Sequence, residues 1–130
     1  MNNITSPRTD DAGIEAMIQA KGKIAPRVTP ADIEDNIVSC YFFTAEEGVL
    51  GEERANARPN AVYERSLSLL TFCVLVLRNG FTVTGESACA SPENFDAEIG
   101  KKIARANAVQ KIWPLMGYEL KCRLTNITTH

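Results

Sequence analysis

Histidine is nearly missing from this chain: His130, the last residue, is the only one. A terminal imidazole is poorly held, so no Ser–His or Cys–His nucleophilic system is expected, and a metal site built from histidines is impossible. Cysteine is sparse and scattered. Cys40, Cys73, Cys89 and Cys122 make no C-x-x-C pair, which argues against structural zinc and, in the reducing cytoplasm expected here, for free thiols; a disulfide is the minor alternative. Glycine-rich phosphate loops are lacking too, since Gly80, Gly85 and Gly100 fit neither G-x-x-x-x-G-K nor G-x-G-x-x-G. Met1–Arg8 has no apolar run, so no signal peptide is expected, and the longest apolar stretch, Leu67–Leu77, is too short for a membrane helix. Nor is there a basic excess. With 14 basic and 16 acidic residues the net charge is −2, so a partner such as duplex DNA or an anionic membrane is disfavoured and any anion must meet a local patch.

What is present suits one ordinary domain. The 130 residues are 45% apolar and 23% charged, enough for a core but not a generous one. Residues 1–27 read as an N-terminal extension, 28–124 as a single domain and 125–130 as a tail. Met1–Asp11 is polar and expected to be loose. Ile14, Met17 and Ile18 predict a short amphipathic helix over Ala12–Lys21, ended by Gly22. Thr29-Pro30 opens a second helix with an apolar stripe of Ile33, Ile37 and Val38 reaching about Ser39. Cys40–Thr44 reads as a short strand. Gly48, Gly51, Pro59 and a run of charges make Ala45–Asn60 a loop, with Ala61–Ser66 as its ordered exit.

The strongest local signal is a hairpin. Leu69–Arg78 and Phe81–Ser87 flank Asn79-Gly80, a pair that suits a two-residue primed turn with positive φ at both positions. The second strand alternates and has one wet face. The first does not, and reads as a strand buried on both sides. Helices would cover one face; the short N-terminal helices or a second copy of the chain would cover the other, and the second copy is favoured. After Ser91-Pro92-Glu93 a main helix spans about Asp96–Trp113, its expected core stripe being Ile99, Ile103, Ala106, Val109 and Trp113. Pro114 breaks it. Leu115–Leu124 adds a further helix with Leu120 and Leu124 as its apolar face. The fold class is therefore α+β: a small antiparallel sheet around a hairpin (about 69–87), short N-terminal helices, a long C-terminal helix (about 96–113) and one more helix, in an oligomer.

Three constellations bear on chemistry. Lys101, Lys102 and Arg105 share one arc of the main helix, with Glu98 able to pair Lys102; they form either a phosphate patch or a salt-bridged solvent face. Lys121 and Arg123 add positive charge further on. The turn Ser87–Asp96 joins strand to helix, where backbone N–H groups can hold an anion; Asn94 could read a base edge or ribose and Phe95 could stack on a base, or the turn is a capped helix with Phe95 in the core. Trp113 and Tyr118 read as core or interface. The carboxylates offer no pair that stands out as an acid–base couple. No catalytic residue, metal ligand or cofactor is indicated.

The stretch L-L-T-F-C-V-L-V-L-R-N-G-F-T-V-T-G-E-S-A-C-A-S-P-E-N-F-D, continuing through I-G-K-K-I-A-R-A-N-A-V-Q-K-I-W-P-L-M-G-Y, resembles a widespread protein family of tailed phages and prophages. That family includes the Thoeris anti-defence proteins of the first type. Val28–Val38 resembles its N-terminal part, and the resemblance runs to about Leu124. It implies an oligomeric sponge, a dimer or a larger assembly such as a hexamer, in the cytoplasm of the infected or lysogenic host. The sponge sequesters, without cleaving it, a cyclic ADP-ribose isomer made by TIR-domain enzymes; some relatives also hold cyclic oligonucleotides. Pockets are implied at the subunit interface beside the C-terminal helices. Asn94 and Phe95 are then assigned to base and ribose, and Lys102, Arg105 and Arg123 to phosphates. The alternative is a phage-encoded module that binds RNA or a host protein, because strand, turn, strand and basic helix also resemble a double-stranded-RNA-binding domain. Against it, the helix starts with Glu93, Asp96 and Glu98.

Overall fold

Three antiparallel strands form one sheet with helices against one of its faces, which is the α+β arrangement expected. The structure is a computed structural model, and it describes residues 10–58 and 64–125. In chain order the elements are α1 (Asp11–Ala20), α2 (Pro30–Asp35), β1 (Ile37–Thr44), α3 (Ala45–Ala55), a 3₁₀ turn (Arg65–Leu69), β2 (Leu70–Leu77), β3 (Thr82–Ala88), a second 3₁₀ turn (Pro92–Asn94), α4 (Ala97–Gln110) and α5 (Ile112–Leu124). The sheet order is β1-β2-β3.

Local chemistry explains most boundaries. Gly22 stops α1 at positive φ, with Lys23 N–H reaching Ile18 C=O and Gly22 N–H reaching Gln19 C=O, the paired closure of a Schellman end. Thr29 starts α2 through a capping box with Asp32. That helix ends at Asp35, short of the Ser39 expected. Ile37 and Val38 instead open β1, earlier than the Cys40 start expected, because Ile37 pairs across to Leu77. The segment read as the loop Ala45–Asn60 holds a helix, α3. Thr44 and Glu47 form a second capping box that starts it, and Gly48 lies under the Phe43 ring, 3.6 Å from where its Cβ would be. Of the expected exit Ala61–Ser66, residues 61–63 lie outside the described residues, as do 126–130 of the tail and 1–9 of the N-terminal segment; Asp10 caps α1 and Asp11 is already helical.

The hairpin is real but its turn is longer than two residues. Leu77 N–H donates to Phe81 C=O at 2.8 Å and Gly80 N–H to Leu77 C=O at 2.9 Å, and only Gly80 has positive φ. Arg78, Asn79 and Gly80 thus make the three-residue loop in which glycine supplies the left-handed corner. The main helix breaks at Lys111 rather than running to Trp113 and breaking at Pro114. Pro114 cannot donate to Gln110 C=O, so it is tolerated only in the first turn of a new helix, and that is where it sits in α5.

The core differs from the expected stripe. α4 turns Gly100, Ala104, Ala108 and Val109 inward, while Ile99 stays 48% exposed and Ile103 and Ala106 are only half-buried. The reason is Gly85 on β3: a Cβ there would lie 2.2 Å from Ala104 C=O and 2.3 Å from Ala108 N. Helix and strand backbones nearly touch, which only small residues allow. Ile33, Cys73, Leu75, Leu77, Val83 and Ile112 complete this core, with Trp113 packed against it. In α5 the inward residues are Ile112 and Cys122; Leu124, expected on an apolar face, is exposed. All four cysteines are free.

β2 alternates in burial after all. Thr71, Cys73, Leu75 and Leu77 are buried against the helices, whereas Leu70, Phe72, Val74 and Val76 are only half-buried on the opposite face. The N-terminal helices do not cover that face: α2 sends Ile33 into the helix-side core, and Asp11 of α1 accepts from Gln110 and Trp113. α3 reaches the far end, at Phe43. The rest of the outer face, with Tyr41 at 59% exposure and opposite Val74 in the register, is open.

Candidate functional site

Asp96 begins α4, its carboxylate accepting from the N–H groups of Glu98 (2.9 Å) and Ile99 (3.1 Å). The anion site expected at this helix start is thereby filled by the chain's own carboxylate. The small side of α4 packs on the sheet, and its long cationic side chains lie beside that side, toward strand β1. They line an open cleft of about 560 Å³ between the first turns of α4 and strand β1, walled by Phe42, Ala97, Glu98, Lys101, Lys102 and Arg105. Lys101 Nζ lies 5.7 Å from the centre of the Phe42 ring, within cation–π range.

The three cations are not equivalent. Lys102 and Glu98 stand 3.9 Å apart with side chains 78% and 80% exposed, a loose i,i+4 pair worth a few tenths of a kcal/mol at most. Arg105 is held: its two terminal nitrogens donate to the Glu34 carboxylate at 3.1 and 2.8 Å, the fork geometry that suits guanidinium and carboxylate. That bond holds the Glu34 carboxyl below its ordinary range and raises Arg105. Cys40, on β1, also meets Arg105. Its Sγ lies 3.7 Å from that of Cys73, whose thiol burial pushes up to about 12, so Cys73 stays protonated and inert.

The expected site residues fall in three places. Lys102 and Arg105 share the α4 cleft. Arg123 lines a different one, of about 820 Å³, between α2, the hairpin tip and α5, where it pairs with Glu119 at 3.0 Å. Asn94 and Phe95 line neither cleft: Asn94 is exposed in the 3₁₀ turn before α4, and Phe95, half-buried, follows it. Sequence reasoning missed Phe42 and Glu34. Phe42 was legible as a strand residue, but nothing in the sequence tells which helix it faces. Glu34 lies 71 residues from Arg105, beyond any local pattern. Among the described residues no group of three or more His, Cys, Asp or Glu side chains could hold a metal ion, and no helix is long and apolar enough to cross a membrane.

A family profile, that of the phage protein (N4 Gp49/phage Sf6 gene 66) family, matches residues 28–124. The chain belongs to this phage protein family. Its match takes in α2 through α5, and so both clefts and every expected site residue; α1 lies before it. A search of curated proteins found no significant match, and neither did a search of solved structures.

Proposed function

We propose that this phage protein binds and sequesters a cyclic nucleotide signal, a cyclic ADP-ribose isomer of the kind TIR enzymes make, without cleaving it. The observation that carries the reading is the α4 cleft, lined by Lys101, Lys102, Arg105 and Phe42, with Lys101 over the Phe42 ring. Cations suit a pyrophosphate and an aromatic wall suits a base. The resemblance to the Thoeris anti-defence proteins, a finer grouping than the phage family itself, supplies the identity of the ligand.

Affinity then requires a second copy. A sponge for a scarce signal needs about −12 kcal/mol, the nanomolar range. Exposed ion pairs contribute about 0–1 kcal/mol each, so an open cleft with two solvated lysines falls far short. Enclosure between two chains excludes water and strengthens every charged contact. The outer face of the sheet, with Tyr41, Phe43 and Val74, is a surface on which a second copy would seat, but it lies across the sheet from Phe42 and the α4 cleft, so the chain that encloses the ligand would have to meet the cleft by a further contact. Arg123, Asn94 and Phe95 stay in the proposal as contacts that a neighbouring chain would bring to the ligand.

The test is direct. The pure protein is mixed with the cyclic ADP-ribose isomer, freed of unbound ligand and heat-denatured. The reading predicts intact ligand in the supernatant. A cleaved product would make the protein an enzyme, and an empty supernatant would end the proposal.

A further inference from the structure

We infer that Glu34 is a built-in competitor for the anion at Arg105, displaced only by a ligand that also reaches Lys101 or Lys102. The inference rests on the proposed phosphate-binding reading of the α4 cleft and adds what regulates it. Both terminal guanidinium nitrogens of Arg105 donate to Glu34, at 2.8 and 3.1 Å, so the end-on fork, the edge with two terminal nitrogens, is already filled. The pair is accessible, with side chains 34% and 54% exposed, and exchange with a solute anion is therefore sterically open.

Charge counting sets the threshold. Lys101, Lys102 and Arg105 face Glu34 and Glu98. A lone phosphodiester at Arg105 would trade one anionic fork partner for another and gain little. Two linked phosphates can exchange with Glu34 at Arg105 and, with the second group, meet the lysines, whose only ion pair among the described residues is the loose one to Glu98. Glu34 belongs to α2 and Arg105 to α4, so the same exchange removes the ion pair between these helices, while Ile33 keeps α2 seated in the core.

Inorganic pyrophosphate is the probe, with affinity measured by calorimetry at low salt. Glu34→Gln should tighten binding by roughly two- to fivefold, the scale of a half-exposed ion pair. Glu98→Gln removes the same charge but leaves the fork held, and should change affinity by less than about twofold. A second readout needs no variant: in the wild-type protein at fixed pH, the Glu34 carboxyl carbon should shift on saturation with pyrophosphate while that of Glu15 stays put. Equal gains from the two variants, a weaker Glu34→Gln, no binding by either, or an unmoved Glu34 signal would each overturn the inference. Failure of the wild-type protein to retain the cyclic signal, with the pyrophosphate results intact, would instead fault the proposed function alone.

Discussion

Helix α4 has two sides that obey different rules. The inward side is a ladder of Gly100, Ala104 and Ala108, the last two seated on Gly85, where backbone meets backbone and a methyl added at Gly85 would clash. The outward side carries Lys101, Lys102 and Arg105, which touch Phe42, Glu98 and Glu34 and leave an open cleft. Close packing on one side fixes the helix, and a fixed helix is what holds three long, flexible cations over one spot. Stability and binding should therefore separate cleanly by side.

The largest expected effect is on the packed side. Gly85→Ala should destabilise the protein by about 3 kcal/mol or more, because the methyl meets main-chain atoms that cannot rotate away. Urea unfolding measures this, and a loss under about 1 kcal/mol would mean that α4 is not seated as described. Arg105→Glu should do the reverse. It should cut retention of the cyclic ligand by at least about tenfold, while stability changes by only about 1 kcal/mol, since the Glu34 pair is half exposed. If both properties fell together, the two sides would not be independent.

Which parts of this contrast the sequence disclosed follows from range. The arc of Lys101, Lys102 and Arg105, the start at Thr29-Pro30 and the hairpin around Gly80 are local, and each was legible. The inward ladder was not. A helical wheel favours Ile99 and Ile103 for the core, and only the position of Gly85 against Ala104 and Ala108 reverses that choice. α3 was hidden because its charges and glycines read as a loop, although the box of Thr44 and Glu47 was there to be seen. Of the candidate site, Lys102 and Arg105 come together in space, whereas Arg123, Asn94 and Phe95 lie elsewhere on the same chain.

Two smaller effects sharpen the comparison. On the open outer face, Tyr41→Ser with Val74→Thr should leave monomer stability within about 1 kcal/mol but weaken self-association in sedimentation; an unchanged oligomer would remove that face from the proposed interface. Away from both sides of α4, Arg27 and Gln19 hold the Glu15 carboxyl at about 2, below its ordinary value of 4.5. A depressed carboxyl stabilises the fold above its ordinary value, and that contribution fades as pH falls from 4.5 to about 2. Amide exchange in α1 should rise over this window while α4 stays protected, and loss of protection in both together would contradict the local role assigned to Glu15.

The central claim is that the protein keeps a phosphate-bearing signal whole. The most direct measurement is mass spectrometry of the small molecules carried by the protein when it is purified from cells with active TIR signalling. A cyclic ADP-ribose isomer, intact and near-stoichiometric per site, is the predicted result. A protein that emerges from those cells carrying no nucleotide, or carrying only a linear product, would contradict it.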